Sequence, residues 1–243
     1  MENYKLEGEF FMLSFKRLAI LVLMAVLSVS AFAQSNSSEE RSVEESYLQE
    51  AIEMMIIKEM SRGDSLDQKY VALEYIGDAI DRGNTGTEVR QALEFLSTEG
   101  TRTVAREGGR VVNNFPHVRR QAARYLGQIN NEEAKDALIQ ILQSGEKETM
   151  VLMEAVKSLG EIGINKNGET VEQIAWIVSR VDNTNPDNLL ALATVEAFEK
   201  IHKANGSISP NAIQLLMRIS QGQYIKPVQE RAKQAIANIR AGN

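Results

Sequence analysis

Two histidines, no cysteines and 33 carboxylates are the raw material from which this 243-residue chain could build reaction chemistry. His117 and His202 stand apart, and the residues four further on are Gln121 and Gly206, so neither histidine has a second metal ligand one helical turn away. The lack of cysteine removes thiolate nucleophiles, disulfides and thiolate metal sites together. Asp64 with Asp67, and Glu132 with Glu133, are carboxylate neighbours of the kind that open helices, where they favour the positive end of the dipole. They are expected to cap helices. No glycine-rich phosphate loop and no nucleophile motif is present. The types and spacings point away from catalysis, a bound metal or another cofactor, and towards recognition.

Recognition has a visible candidate in the arginines. Residues 102–124 hold Arg102, Arg106, Arg110, Arg119, Arg120 and Arg124 against one acid, Glu107, in a chain of net charge −6. On a helix, Arg102, Arg106 and Arg110 would form one basic stripe, although Gly108-Gly109 opposes a helix there. Such a patch serves either as a docking surface for an acidic protein, a phosphate or an anionic envelope component, or as a solvated face paired with acids of neighbouring elements.

The elements that position these residues are legible from apolar spacing. Val118, Ala122, Tyr125, Leu126 and Ile129 lie at offsets 0, +4, +7, +8 and +11, one face of a helix. After the turn-prone Asn130-Asn131, Ala134, Ala137, Leu138 and Ile141 mark a second helix. The first stripe returns at Val151, Leu190 and Val228 and more weakly at Gln68; the second returns at Val89, Val171 and Ala212. Recurrence at intervals of 33 to 50 residues is the signature of stacked helical hairpins. Proline agrees, because Pro116, Pro186, Pro210 and Pro227 all fall at expected helix starts, Pro210 behind the N-cap candidate Ser209. Gly127 and Gly160 lie inside helices instead, where a missing side chain would let a neighbouring helix approach.

Five residues into the second-type stripe stand Ile139, Trp176 and Met217, nearly opposite the expected seam. They either pack sideways between repeats or line an apolar strip with Trp176 as its anchor.

The stretch VRRQAARYLGQINNEEAKDALIQIL resembles the HEAT-like repeats of the kind named for phycobilisome lyases, with Leu-Gly-x-Ile at 126–129 and again at 159–162. The resemblance is close over 116–163, looser over 185–241 and only pattern-level before residue 100. It implies an all-α, right-handed superhelix of about four to five hairpins, first-type helices convex and second-type helices concave, acting mainly as a binding scaffold. Iron-binding hydroxylases of this type use His-Glu pairs, and no His-Glu dipeptide occurs here. A chromophore lyase or other cofactor-handling enzyme is the competing class, and a subunit polymerising through the helix Val228 to Ala241 is a third. The acidic total disfavours nucleic acid as partner.

The N-terminal residues read differently. Lys16-Arg17, the uncharged run Leu18 to Val29 and the A-x-A of Ala31-Phe32-Ala33 have the order of a secretory signal peptide over 1–33, with translation starting at Met12. Sixteen residues from Leu18 to Ala33 are short for a membrane span, so no lasting membrane insertion is expected after cleavage. A Ser- and Glu-rich linker, 34–42, leads into a solenoid domain over 43–243, opened by a capping helix whose stripe is Leu48, Ala51, Ile52 and Met55. The expectation is an exported scaffold, periplasmic or secreted, that binds a protein or peptide and is not an enzyme.

Overall fold

The computed structural model describes residues 43–182 and 186–242; the expected signal segment and linker lie outside them. The chain divides into two compact units, residues 1–50 and 51–243. Of the first, only residues 43–50 are described, as the opening of helix α1.

Ten α-helices occur among the described residues: α1 Val43–Arg62, α2 Leu66–Asp81, α3 Thr87–Thr98, α4 Pro116–Ile129, α5 Glu132–Gln143, α6 Thr149–Ile162, α7 Glu169–Asp182, α8 Asn188–Asn205, α9 Pro210–Gln221 and α10 Lys226–Ala241. In the second unit they form two layers. Helices α2, α4, α6, α8 and α10 pack each against the next, and α3, α5, α7 and α9 do the same beside them. This is the all-α stack of helical hairpins that the spacing predicts, as the resemblance to HEAT-like repeats also implies. Leu126, Leu159 and Phe198 are fully buried, and Ile236 is partly buried against the same core.

Local chemistry fixes the helix boundaries. Ser65 and Gln68 close a capping box on α2, Asn131 caps α5 through the Ala134 N–H, Asp187 caps α8 and Ser209 caps α9. Pro116 and Pro210 open their helices, Pro227 is the second residue of α10, and Pro186 stands just before the Asp187 cap. Asn130 takes the left-handed conformation that lets α4 turn directly into α5.

Close approach between first-type helices rests on glycine at one recurring position. Gly77, Gly127 and Gly160 all lie nine residues after a stripe start, and each faces the residue seven after the next start: Tyr125, Ser158 and Ala197. A Cβ on Gly127 would lie 2.6 Å from Ser158 Oγ, and one on Gly160 2.6 Å from Ala197 Cα. Where the facing residue is Ser or Ala, helix backbone meets helix backbone.

Two expectations are corrected. Arg102, Arg106 and Arg110 do not share a helix: Arg106–Glu107 (β1) and Arg110–Val111 (β2) pair antiparallel, because Gly108 and Gly109 at φ 53 and 83 supply a hairpin turn. The stripe assigned to α1 is not buried either. Met55 is 62% exposed, Leu48, Ala51 and Ile52 are also exposed, and Ile57, with Met54 and Met60, packs on the core instead.

Candidate partner-binding surface

Trp176 sits on α7 with half of its surface, 50%, exposed. Arg180, one turn along, places its guanidinium 4.7 Å from the centre of the indole, a cation–π contact that holds the ring against the helix. Beside it runs a groove of about 510 Å³ walled by Glu172, Ala175, Trp176 and Ser179 of α7 and by Asn211, Gln214, Leu215 and Arg218 of α9. Both sets have spacing 0, +3, +4, +7, so two neighbouring helices turn equivalent faces to the same space. Ala175 and Leu215 are buried and form the floor. The rim is polar: Asn211 Nδ2 donates to Glu172 Oε2 at 2.8 Å and Arg218 Nη2 to Ser179 Oγ at 2.7 Å. An apolar floor, a polar rim and an exposed aromatic anchor suit capture of a peptide segment.

The three residues of the expected apolar strip part company. Trp176 is exposed and Met217 is 37% exposed, but Ile139 is 5% exposed and belongs to the hydrophobic core. Its neighbour Gln140 accepts a hydrogen bond from Arg102 Nη1 at 2.6 Å, so the segment inserted before α4 reaches this part of α5. No continuous strip from Ile139 to Met217 exists.

The six arginines separate in the same way. Arg119 is 1% exposed and is no docking residue: Nε and Nη2 grip the Glu146 carboxylate at 2.5 and 3.1 Å, while Nη1 donates to the Glu99 carbonyl and to Asn114 Oδ1. The reason is positional. Arg119 follows a stripe start by one residue, which aims it at the loop after its own repeat's second helix. Lys69 occupies the equivalent place in α2, is fully buried, and pairs with Glu99 at 2.8 Å while donating to the Ser61 carbonyl. These clamps, Lys69 with Glu99 and Arg119 with Glu146, escaped the sequence reading, although a cation one residue after the stripe start marks both. Arg120 donates to Glu154 Oε2 at 3.3 Å on the next first-type helix, and Arg124 is exposed. Arg120 and Arg124 line a second hollow, about 470 Å³, with Tyr70, Glu74, His117 and Tyr125. It opens where Tyr125, rather than Ser or Ala, faces Gly77.

A third ionic group joins α5 to the next repeat. Lys135, buried, donates to Asp136 at 2.6 Å, Glu169 at 3.1 Å and Glu132 at 3.3 Å, and Lys166 reaches Glu132 at 3.0 Å. Burial works against the Lys135 charge, but its bonds to these carboxylates outweigh it and hold its pKa above the ordinary value. The hydrogen bond from Lys166, followed by those of Lys135, holds Glu132 below the ordinary carboxylate value. Among the described residues no three His, Asp or Glu side chains gather as metal ligands would, and no helix is long and apolar enough to cross a membrane.

Comparison with known proteins agrees with this geometry. No curated protein and no solved structure matches the chain. Residues 111–199, which run from the last residue of β2 through α4 to α7 and into α8, match the family model of HEAT repeats. That stretch is similar to HEAT repeats, and helical hairpins stacked in the same two layers continue on either side of it.

Proposed function

We propose that this protein is an exported interaction scaffold of the periplasm or cell envelope, which captures a peptide segment of a protein partner in the groove between α7 and α9. HEAT repeats suit a scaffold, since stacked helices offer an extended surface with sites built from successive repeats. The observation that carries the reading is Trp176: a large aromatic side chain left half exposed, steadied by Arg180, over an apolar floor. A ring with no role in binding would gain by burial. Export is supported by the order of charge, apolar run and A-x-A before Gln34.

The capture test compares the wild type with Trp176→Ala in pull-downs from an envelope extract, with melting temperature as the control for folding. Loss of the captured protein at unchanged melting temperature is expected; equal capture by both would overturn the groove as the site. Trp176 emission is expected to be solvent-like in the free protein and to shift to the blue when the captured partner is added. For export, the protein recovered from the envelope fraction is expected to begin at Gln34. Recovery in the cytoplasm with residues 12–33 still attached would overturn that part.

A further inference from the structure

We propose that the hairpin formed by β1 and β2 is a strand-pairing arm, which binds an extended acidic segment of a partner protein by adding it to a free edge. The eleven residues 102–112 are all exposed, and they stretch the interval between the first two repeats to 50 residues where the others are 33 to 39. Val104, Val111 and Val112 are exposed with them, and no third strand is present among the described residues. A lone two-stranded hairpin with its valines in water is poorly stabilised by itself.

The fold nevertheless holds the base of this arm firmly. Asn113 is buried, its Nδ2 donates to the Thr103 carbonyl at 2.7 Å and its Oδ1 accepts from the Ala105 N–H at 2.9 Å. Gly100, at φ +77, donates its N–H to the Thr103 carbonyl, and a side chain there would strike the Asn113 main chain. The arm is presented rather than left loose.

Its rungs determine what it can accept. Val112 N–H donates to the Ala105 carbonyl at 3.0 Å, and Glu107 pairs with Arg110 across the glycine turn, so Arg106 and Val111 form the intervening pair whose N–H and C=O groups point outwards. Those groups match the main chain of an added strand. Arg102, Arg106 and Arg110 against Glu107 make the arm basic in an acidic chain, which selects an acidic segment and sets two copies of the arm against each other. A lipid surface fits less well. Strand alternation puts Val111 and Val112 on opposite faces, each beside an arginine, so neither face is apolar.

The inference rests on the scaffold reading but not on Trp176, and its test separates the two. The probe is a fluorescein-labelled peptide of about ten alternating Val and Glu residues, the length of an ordinary added strand. A second peptide of equal charge carries N-methyl groups on every amide, so that neither of its edges can donate. Expected results are binding of the first peptide but not the second, and slowed amide exchange at Arg106 or Val111. The double variant Arg106→Gln/Arg110→Gln is expected to weaken binding by about tenfold or more at unchanged melting temperature, and Trp176→Ala to leave it unaltered. Equal binding of the N-methylated peptide, or loss on Trp176→Ala alone, would overturn the proposal. So would binding to anionic vesicles without binding to either peptide, or self-association of the free protein through the arm.

Discussion

Ser158 shows how much one side chain reports. It lies in the tight contact with Gly127, is buried, and its Oγ has no hydrogen-bond partner among the described residues. The equivalent positions in the next two repeats are Ala197 and Ala235. Removing an unsatisfied buried hydroxyl without opening a sizeable space relieves its desolvation, so Ser158→Ala is expected to raise stability by about 1 kcal/mol in urea denaturation. Arg119 presents the opposite case. Its loss would leave Glu146 buried without its cation, although Glu146 Oε1 would still accept the N–H groups of Lys147 and Glu148 at the start of α6. Arg119→Met is therefore expected to lower stability by about 3 kcal/mol, and the double variant Arg119→Met/Glu146→Gln to recover part of that loss in the same measurement. A docking arginine on the surface would shift stability by a few tenths at most. The sign and size of the result thus distinguish the two roles for this residue.

At the scale of single elements, the glycines inside α4 and α6 set the spacing of the first layer. A methyl group on Gly160 would lie 2.6 Å from the Ala197 Cα, whereas one on Gly127 would lie 3.2 Å from the Ser158 Cα. Gly160→Ala is expected to destabilise by about 2 kcal/mol or more through overpacking, despite the better helix propensity of alanine, and Gly127→Ala by less. Thermal melts followed by circular dichroism would rank them. These two glycines were legible in the sequence because they break a helical pattern. The stripes, the proline starts and the Ser209 cap were legible for a similar reason: they are local rules of period and chain geometry. What escaped was non-local. Arg119 reads as a surface residue until Glu146, 27 residues on, is folded against it. The stripe Leu48, Ala51, Ile52 and Met55 is a true helical face, but period alone does not say which face finds a neighbour. The hairpin carried its own signal, Gly108-Gly109 between short extended runs, and the four-residue spacing of the arginines obscured it. At the binding surface, Trp176 stood out because an aromatic residue opposite a buried seam is anomalous by itself. The groove wall across from it needed α9 in place.

For the molecule as a whole, stability is a chain of contacts between successive hairpins, so the clasp joining α5 to the Lys166 turn and α7 is a place where solution conditions act on the entire stack. Glu132 has its pKa depressed below 4.5 by Lys166 and Lys135, so its contribution is present above that ordinary value and is lost as pH falls through the depressed one. Lys135 has its pKa raised above 10.5, so its contribution is complete below 10.5 and is lost only as pH rises through the raised value. Between these limits the clasp is constant. The clasp's contribution to the melting temperature is accordingly expected to be flat from about pH 6 to 9 and to fall once Glu132 takes up a proton. The variant Lys166→Gln isolates the local part. It removes the first cause of the Glu132 shift, so the difference in melting temperature between wild type and variant should be steady near neutrality and shrink as acid neutralises Glu132. Molar salt should shrink the same difference at neutral pH, because Lys166 is exposed and its pairing is screened. A difference that stays constant from neutrality through acid would mean that Lys166 acts on the stack by some route other than its charge.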